Sequence, residues 1–185
     1  GISMLIVPIR SYLTAVLLGL SSVSAVSEPY RSGDRMEQLL QSLPGFWMGE
    51  AVETPVGRMN YDMVFHTCSD GIVAGVAKTG ASLHYWQFIP NQDNHRIRFL
   101  STFRDNRSPT VLLPQPTEGR ALSYHAPDLK MLTLTINHSP TVIDIRVFHH
   151  GKPHVHIQLT QEDGKRAQLA PHHSLSNSCR GSPIE

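Results

Sequence analysis

The sequence predicts an all-β fold, an antiparallel up-and-down β-barrel of about 8–10 strands with a short N-terminal helix. Three observations lead there. From residue 46 to residue 160 apolar and polar side chains alternate with a period of two. Turn residues recur about every 8–12 positions. Most of the links between the alternating runs are too short for a crossover, so strands adjacent in sequence pair with one another. A meander of that length closes naturally, because closure removes its two unpaired edges.

Ahead of the barrel, residues 1–25 read as a Gly1-Ile2-Ser3 scar followed by a secretory signal peptide. Arg10 is the only charge, residues 13–20 form the apolar run, and Val23 and Ala25 occupy the small-residue positions before a cut at Val26. Pro8, Arg10 and the serines leave less than the ~20 apolar residues a spanning helix needs. The expectation is therefore an exported protein, periplasmic or secreted, with no permanent membrane span after cleavage. Removing 25 of the 185 residues leaves 160, enough for one domain with a real core. The predicted division is residues 26–170 for the barrel and 171–185 for a polar, largely irregular tail.

The chain has 16 basic and 15 acidic residues, and the signal takes one Arg with it. That balance provides no broad basic surface, so nucleic acid is not expected as a partner. Two cysteines allow one intramolecular pair, Cys68 with Cys179, which suits an oxidising compartment. The alternative is two separate thiols.

Residues 28–33 are a polar lead-in. Asp34 and Glu37 have the spacing of a capping box, and Met36, Leu39, Leu40 and Leu43 recur at three- and four-residue intervals until Pro44 and Gly45 stop the helix. A helix this short is unstable alone, so its stripe should lie against one end of the barrel. Strands are predicted at 46–53, 57–66, 71–78, 82–89, 95–104, 109–113, 120–125, 130–138, 142–149 and 153–160. Ser69-Asp70-Gly71, residues 91–94 and His150-Gly151-Lys152-Pro153 supply tight turns. In the last three strands Leu132, Leu134, Ile136, Ile143, Ile145, Val147, Val155, Ile157 and Leu159 share the aliphatic face, whereas Thr133, Asp144, Arg146, His154, His156 and Gln158 share the wet one.

The helix, then Gly45-x-Trp47 heading the first strand, then a meander and a cysteine-bearing tail resemble the lipocalin and calycin group of barrels. The resemblance implies that Trp47 plugs the closed end, that Gly45 and Trp47 are structural, and that an Arg near the last strand, here Arg166, stacks on the Trp. The chain has no Thr-Asp-Tyr element and no evident helix after its last strand, so "lipocalin-like" is the fitting description.

Ligand-binding candidates come from the fifth and sixth runs. His84, Trp86 and Phe88 share one face, and Ile97, Phe99 and Phe103 form a matching row on the next strand. Aromatic and aliphatic side chains with a few placed polar atoms are the usual lining of a small-ligand site. Such side chains also fill barrels, and the pattern alone leaves both arrangements open.

His149, His154 and His156 cluster at one hairpin, a spacing that can serve a metal or supply a haem ligand, although no full ligand set accompanies them. No Gly-x-Ser-x-Gly elbow, phosphate loop or His-Glu-x-x-His helix occurs. Tyr61 with Asp62, adjacent on a strand, should face opposite ways. The expected role is thus a carrier or sensor of a small, largely apolar molecule, more than a catalyst, and no cofactor is expected. Two other roles are compatible with the sequence. One is a protein-interaction module with a filled barrel, through a protein partner or a homodimer; the other is metal or haem binding through the His149 to His156 hairpin.

Overall fold

A computed structural model of the chain describes residues 32–90, 95–103, 108–161 and 177–180. Helix α1 (Ser32–Ser42) precedes β1 (Gly45–Glu53), β2 (Met59–Asn60), β3 (Met63–Thr67), β4 (Val73–Thr79) and β5 (Ser82–Ile89). There follow β6 (Arg96–Ser101), β7 (Thr110–Pro114), β8 (Leu122–His125), β9 (Leu132–His138), β10 (Val142–His149) and β11 (Lys152–Thr160). Every pairing is antiparallel, from β3 to β11 each strand pairs with its sequence neighbour, β1 pairs with both β2 and β3, and β11 returns to pair with β1. The result is a closed up-and-down barrel of ten strands, with β2 a two-residue annex on the β3 side of β1. The signal segment, Arg166 and the turn at 91–94 lie outside the described residues, and no described helix is long and apolar enough to cross a membrane.

The helix closes one end. It begins at Ser32, two residues before the expected cap, and buries Met36 and Leu39 in the main core together with Leu43 just after its end. Trp47 is fully buried and donates its indole N–H to the carbonyl of Leu43 at 2.8 Å. That carbonyl lies just past the helix end, where backbone acceptors otherwise lack partners. Arg35 fixes the other flank of the helix by donating to the carbonyls of Gly119 and Ala121, at 2.6 and 3.0 Å. Gly45 enters β1 with φ +129°, a conformation that disfavours side chains, and a Cβ there would meet Gln161 Nε2 at 2.9 Å.

The aliphatic faces of β9, β10 and β11 point inward as the alternation predicts, with Leu134, Ile136, Ile143, Ile145, Ile157 and Leu159 in the core. The β10–β11 turn narrows to His150-Gly151, with φ of 53° and 71°, the positive pair of a type I′ hairpin. The predicted strand 57–66 is interrupted in hydrogen bonding and not in register. Asn60 pairs with Glu50 and Met63 with Trp47, so Tyr61 still stands opposite Gly49. At that point Gly49 N–H is satisfied by the Asp62 carboxylate at 2.8 Å, while Tyr61 N–H donates to the Gly49 carbonyl. A Cβ on Gly49 would lie 2.2 Å from the Tyr61 carbonyl oxygen, so only glycine fits.

Strands β4 to β6 are apolar on their outer face too, where Val76, Tyr85 and Leu100 form a second buried cluster. Cys68 and Cys179, 111 positions apart in sequence, are joined by a disulfide with Cα atoms 5.9 Å apart. Residues 177–180, in the tail expected to be irregular, form one helical turn. Gln87, on the outer face of β5, donates to the carbonyls of Ser178 and Cys179 at 2.9 and 2.8 Å. The tail is thereby fastened outside the barrel wall.

Candidate functional site

Eight strands give a barrel that side chains just fill, and the diameter grows with strand number, so ten strands leave space unless large residues occupy it. At the helix end they do: Trp47, Phe65, Phe88, Ile97 and Tyr124 are packed into the core. Towards the other end the interior opens into a cavity that continues over the rim onto the outward-facing Phe46, Val64, Val76 and Leu83, about 1490 Å³ in all. The whole exceeds the ~300–1,000 Å³ of a typical small-ligand pocket because it includes the open mouth and this outer stretch. Leu112, Leu132, Leu134, Val147, Val155 and Ile157 make an aliphatic wall. Val56, Phe103 and Leu129, all exposed large apolar side chains, ring the entrance.

The opposite wall is aromatic and carries the polar groups. Trp86 and Phe99, paired across β5 and β6, have ring centroids 4.7 Å apart, and Phe99 also meets the His84 ring edge-on at 5.3 Å. Tyr61 reaches in from between β2 and β3. Its hydroxyl lies 3.0 Å from Trp86 Nε1, which donates to it, and 2.7 Å from His84 Nδ1. Burial raises the Tyr61 pKa far above the usual phenol range, an effect the Trp86 hydrogen bond only partly opposes. Burial also lowers the His84 pKa to about 4. At neutral pH the wall is thus uncharged: a phenol, an imidazole and an indole hydrogen-bonded in line.

No protein-family model matches the chain, and no curated protein is significantly similar to it. The site therefore stands on its own geometry.

The structure separates the sequence-derived candidates by depth. His84, Trp86, Phe99 and Phe103 line the cavity. Phe88 and Ile97 share their inward face and, like Trp86, belong to the core, but they are not on the cavity lining. Phe103, predicted inside a strand, falls beyond the end of β6 at the rim and is 57 % exposed. The alternation predicts only that Tyr61 and Asp62 face opposite ways, and nothing in a linear sequence shows that Tyr61 meets residues 23 and 25 positions away.

The histidine hairpin does not assemble into a ligand set. His149 and His154 have ring centroids 5.9 Å apart, but His156 is engaged by the Asp144 carboxylate, which also accepts from Arg146 Nε at 2.9 Å. Burial raises the Asp144 pKa, and the hydrogen bonds from His156 and Arg146 more than offset it, leaving the pKa lowered. Among the described residues the one His, Cys, Asp and Glu group with donor atoms close enough for a metal is His66, Cys68 and Cys179. Both its sulfurs are already joined in the disulfide, with His66 Nε2 3.0 Å from Cys179 Sγ.

Proposed function

We propose that this protein is an exported, calycin-like barrel that carries or senses a small, largely apolar molecule held in the open half of its interior. The observation that carries the reading is the cavity itself. It is lined by aromatic and aliphatic side chains, with few polar atoms and an apolar rim. Binding there removes apolar surface from water on both partners, at roughly 25 cal/mol per Å². The helix plug, Gly45-x-Trp47 and the ten-strand meander support the calycin-like assignment. A single disulfide fits an oxidising compartment and supports export.

The test is native mass spectrometry on untagged protein recovered from its exported form, with chemical identification of whatever is released. A stoichiometric apolar passenger supports the carrier reading. A protein that is empty and also takes up no N-phenyl-1-naphthylamine, an uncharged fluorescent probe of apolar cavities, refutes it.

A further inference from the structure

The aromatic wall fixes the position of one proton. An indole nitrogen can only donate, so Tyr61 Oη must accept from Trp86 Nε1. Tyr61 keeps one proton of its own, and the hydroxyl is buried with the residue only 2 % exposed. Its other hydrogen-bonding neighbour is His84 Nδ1. If Nδ1 carried a proton, Tyr61 would accept twice and its own O–H would be buried without an acceptor, at a cost of about 1–3 kcal/mol. The arrangement that satisfies all three groups runs in one direction: Trp86 donates to Tyr61, Tyr61 donates to His84 Nδ1, and His84 holds its proton on Nε2.

That Nε2–H is the polar group His84 has left to offer. His84 lines the cavity, and its hydrogen bond to Tyr61 is made through Nδ1 and does not use Nε2. The imidazole is thereby a fixed donor, with no lone pair at Nε2 to offer a metal or a haem iron. Its surroundings disfavour charge. Lys78 is the one Lys or Arg on the lining among the described residues, and it sits in the outward register of β4, opposite Leu83 and not His84. The Asp62 carboxylate, also on the lining, is spent on Gly49 N–H and opposes an anion.

We propose that the ligand is an apolar molecule bearing one uncharged oxygen acceptor, a carbonyl or ester, which His84 Nε2–H holds against the aromatic wall. Tyr61 and Trp86 are positioning residues that fix the donor. This rests on the cavity reading above and adds the chemical class of the occupant.

Two measurements test it on the full chain. Long-range ¹H–¹⁵N correlation of the imidazoles reads the tautomer directly: His84 is expected to be protonated at Nε2 and bare at Nδ1, and the reverse overturns the proposal. The second is displacement of N-phenyl-1-naphthylamine by benzophenone and by diphenylmethane, a pair differing at one carbonyl. Comparing the ratio of their affinities between proteins cancels their different solubilities. Replacing His84→Phe should lower the benzophenone preference about three- to tenfold, the value of one net hydrogen bond. His84→Gln, which keeps an N–H donor, should restore part of it, and Tyr61→Phe should lower it by less than His84→Phe.

Probe uptake with the same ratio in wild type and His84→Phe overturns the ligand class and leaves the cavity reading standing. Failure of all three compounds to bind overturns both. Tighter binding of 4-benzylbenzoate than of benzophenone, lost in His84→Phe, overturns the uncharged class. A haemin Soret shift that disappears in His84→Phe overturns the assignment of the proton to Nε2.

Discussion

The two halves of this barrel use the same strands and differ in what stands on their inward positions. Near the helix, β1, β3, β5 and β6 contribute Trp47, Phe65, Phe88 and Ile97, and the interior is filled. Farther along, β5 and β6 contribute His84 and Phe99 across from Val147 and Val155, and the interior is hollow. Strand number creates the space, and side-chain volume decides where it stays. Polarity divides the halves in the same way. The Trp47 N–H is spent on the backbone of the helix end, whereas the Trp86 N–H donates to the Tyr61 hydroxyl, which in turn lies 2.7 Å from His84 Nδ1 on the cavity wall. One tryptophan is packed at the closed end and the other lines the proposed site.

The sharpest way to break that contrast is to truncate each half. Trp47→Ala should destabilise the protein by about 3–5 kcal/mol, the usual cost of removing a large core aromatic, measured by denaturant unfolding. Any variant protein that remains folded should take up N-phenyl-1-naphthylamine as wild type does. The tether comes next. Cys179→Ser should cost about 2–4 kcal/mol, as expected for opening a long loop, and leave probe affinity unchanged, because the disulfide lies outside the wall.

Acid should act on the hollow half. The His84 pKa lies near 4 in the fold, against about 6.5 in an unfolded chain, so between those values the unfolded state binds the extra proton. Stability should therefore fall as pH drops from about 6.5 towards 4, by at most about 3 kcal/mol from this group. Burial also lowers the His95 and His138 pKa values, which acts in the same direction. Unfolding titrations of wild type and His84→Phe isolate the contribution of His84, and parallel curves would remove it. The smallest effect is on affinity. Phe99→Ala, enlarging a space already empty, should weaken probe binding about tenfold while costing less stability than Trp47→Ala.

Alternation was legible wherever it was strict. The inward faces of β9 to β11 were readable residue by residue, and the Gly45 to Trp47 entry foretold a plugged end beside a short helix. Depth was not legible. A period of two assigns a side chain to a face and says nothing of its height along the barrel axis, which strand tilt and stagger determine. The alternation therefore groups His84, Trp86, Phe88 and Ile97, yet only His84 and Trp86 of these four line the cavity. Cross-strand partners were hidden for a related reason. Tyr61 meets Trp86 only because β3, β4 and β5 pair in one particular register. Asp62, whose carboxylate replaces one rung of the ladder at Gly49, gave no signal in the pattern.

The pairing of β1 with β11 also bears on how the chain reaches its fold. Met48 finds its partner in Thr160, more than a hundred residues later, and Ala51 in Ile157. Until β11 exists, both margins of the growing meander present unpaired backbone, the condition under which partly folded sheets capture one another. Closing the ring is the contact with the greatest loop entropy to overcome, so it belongs late and sets a slow pace. A chain shortened by its last strand should therefore aggregate, whereas a permuted chain that places β11 directly before β1 should close faster than the natural order.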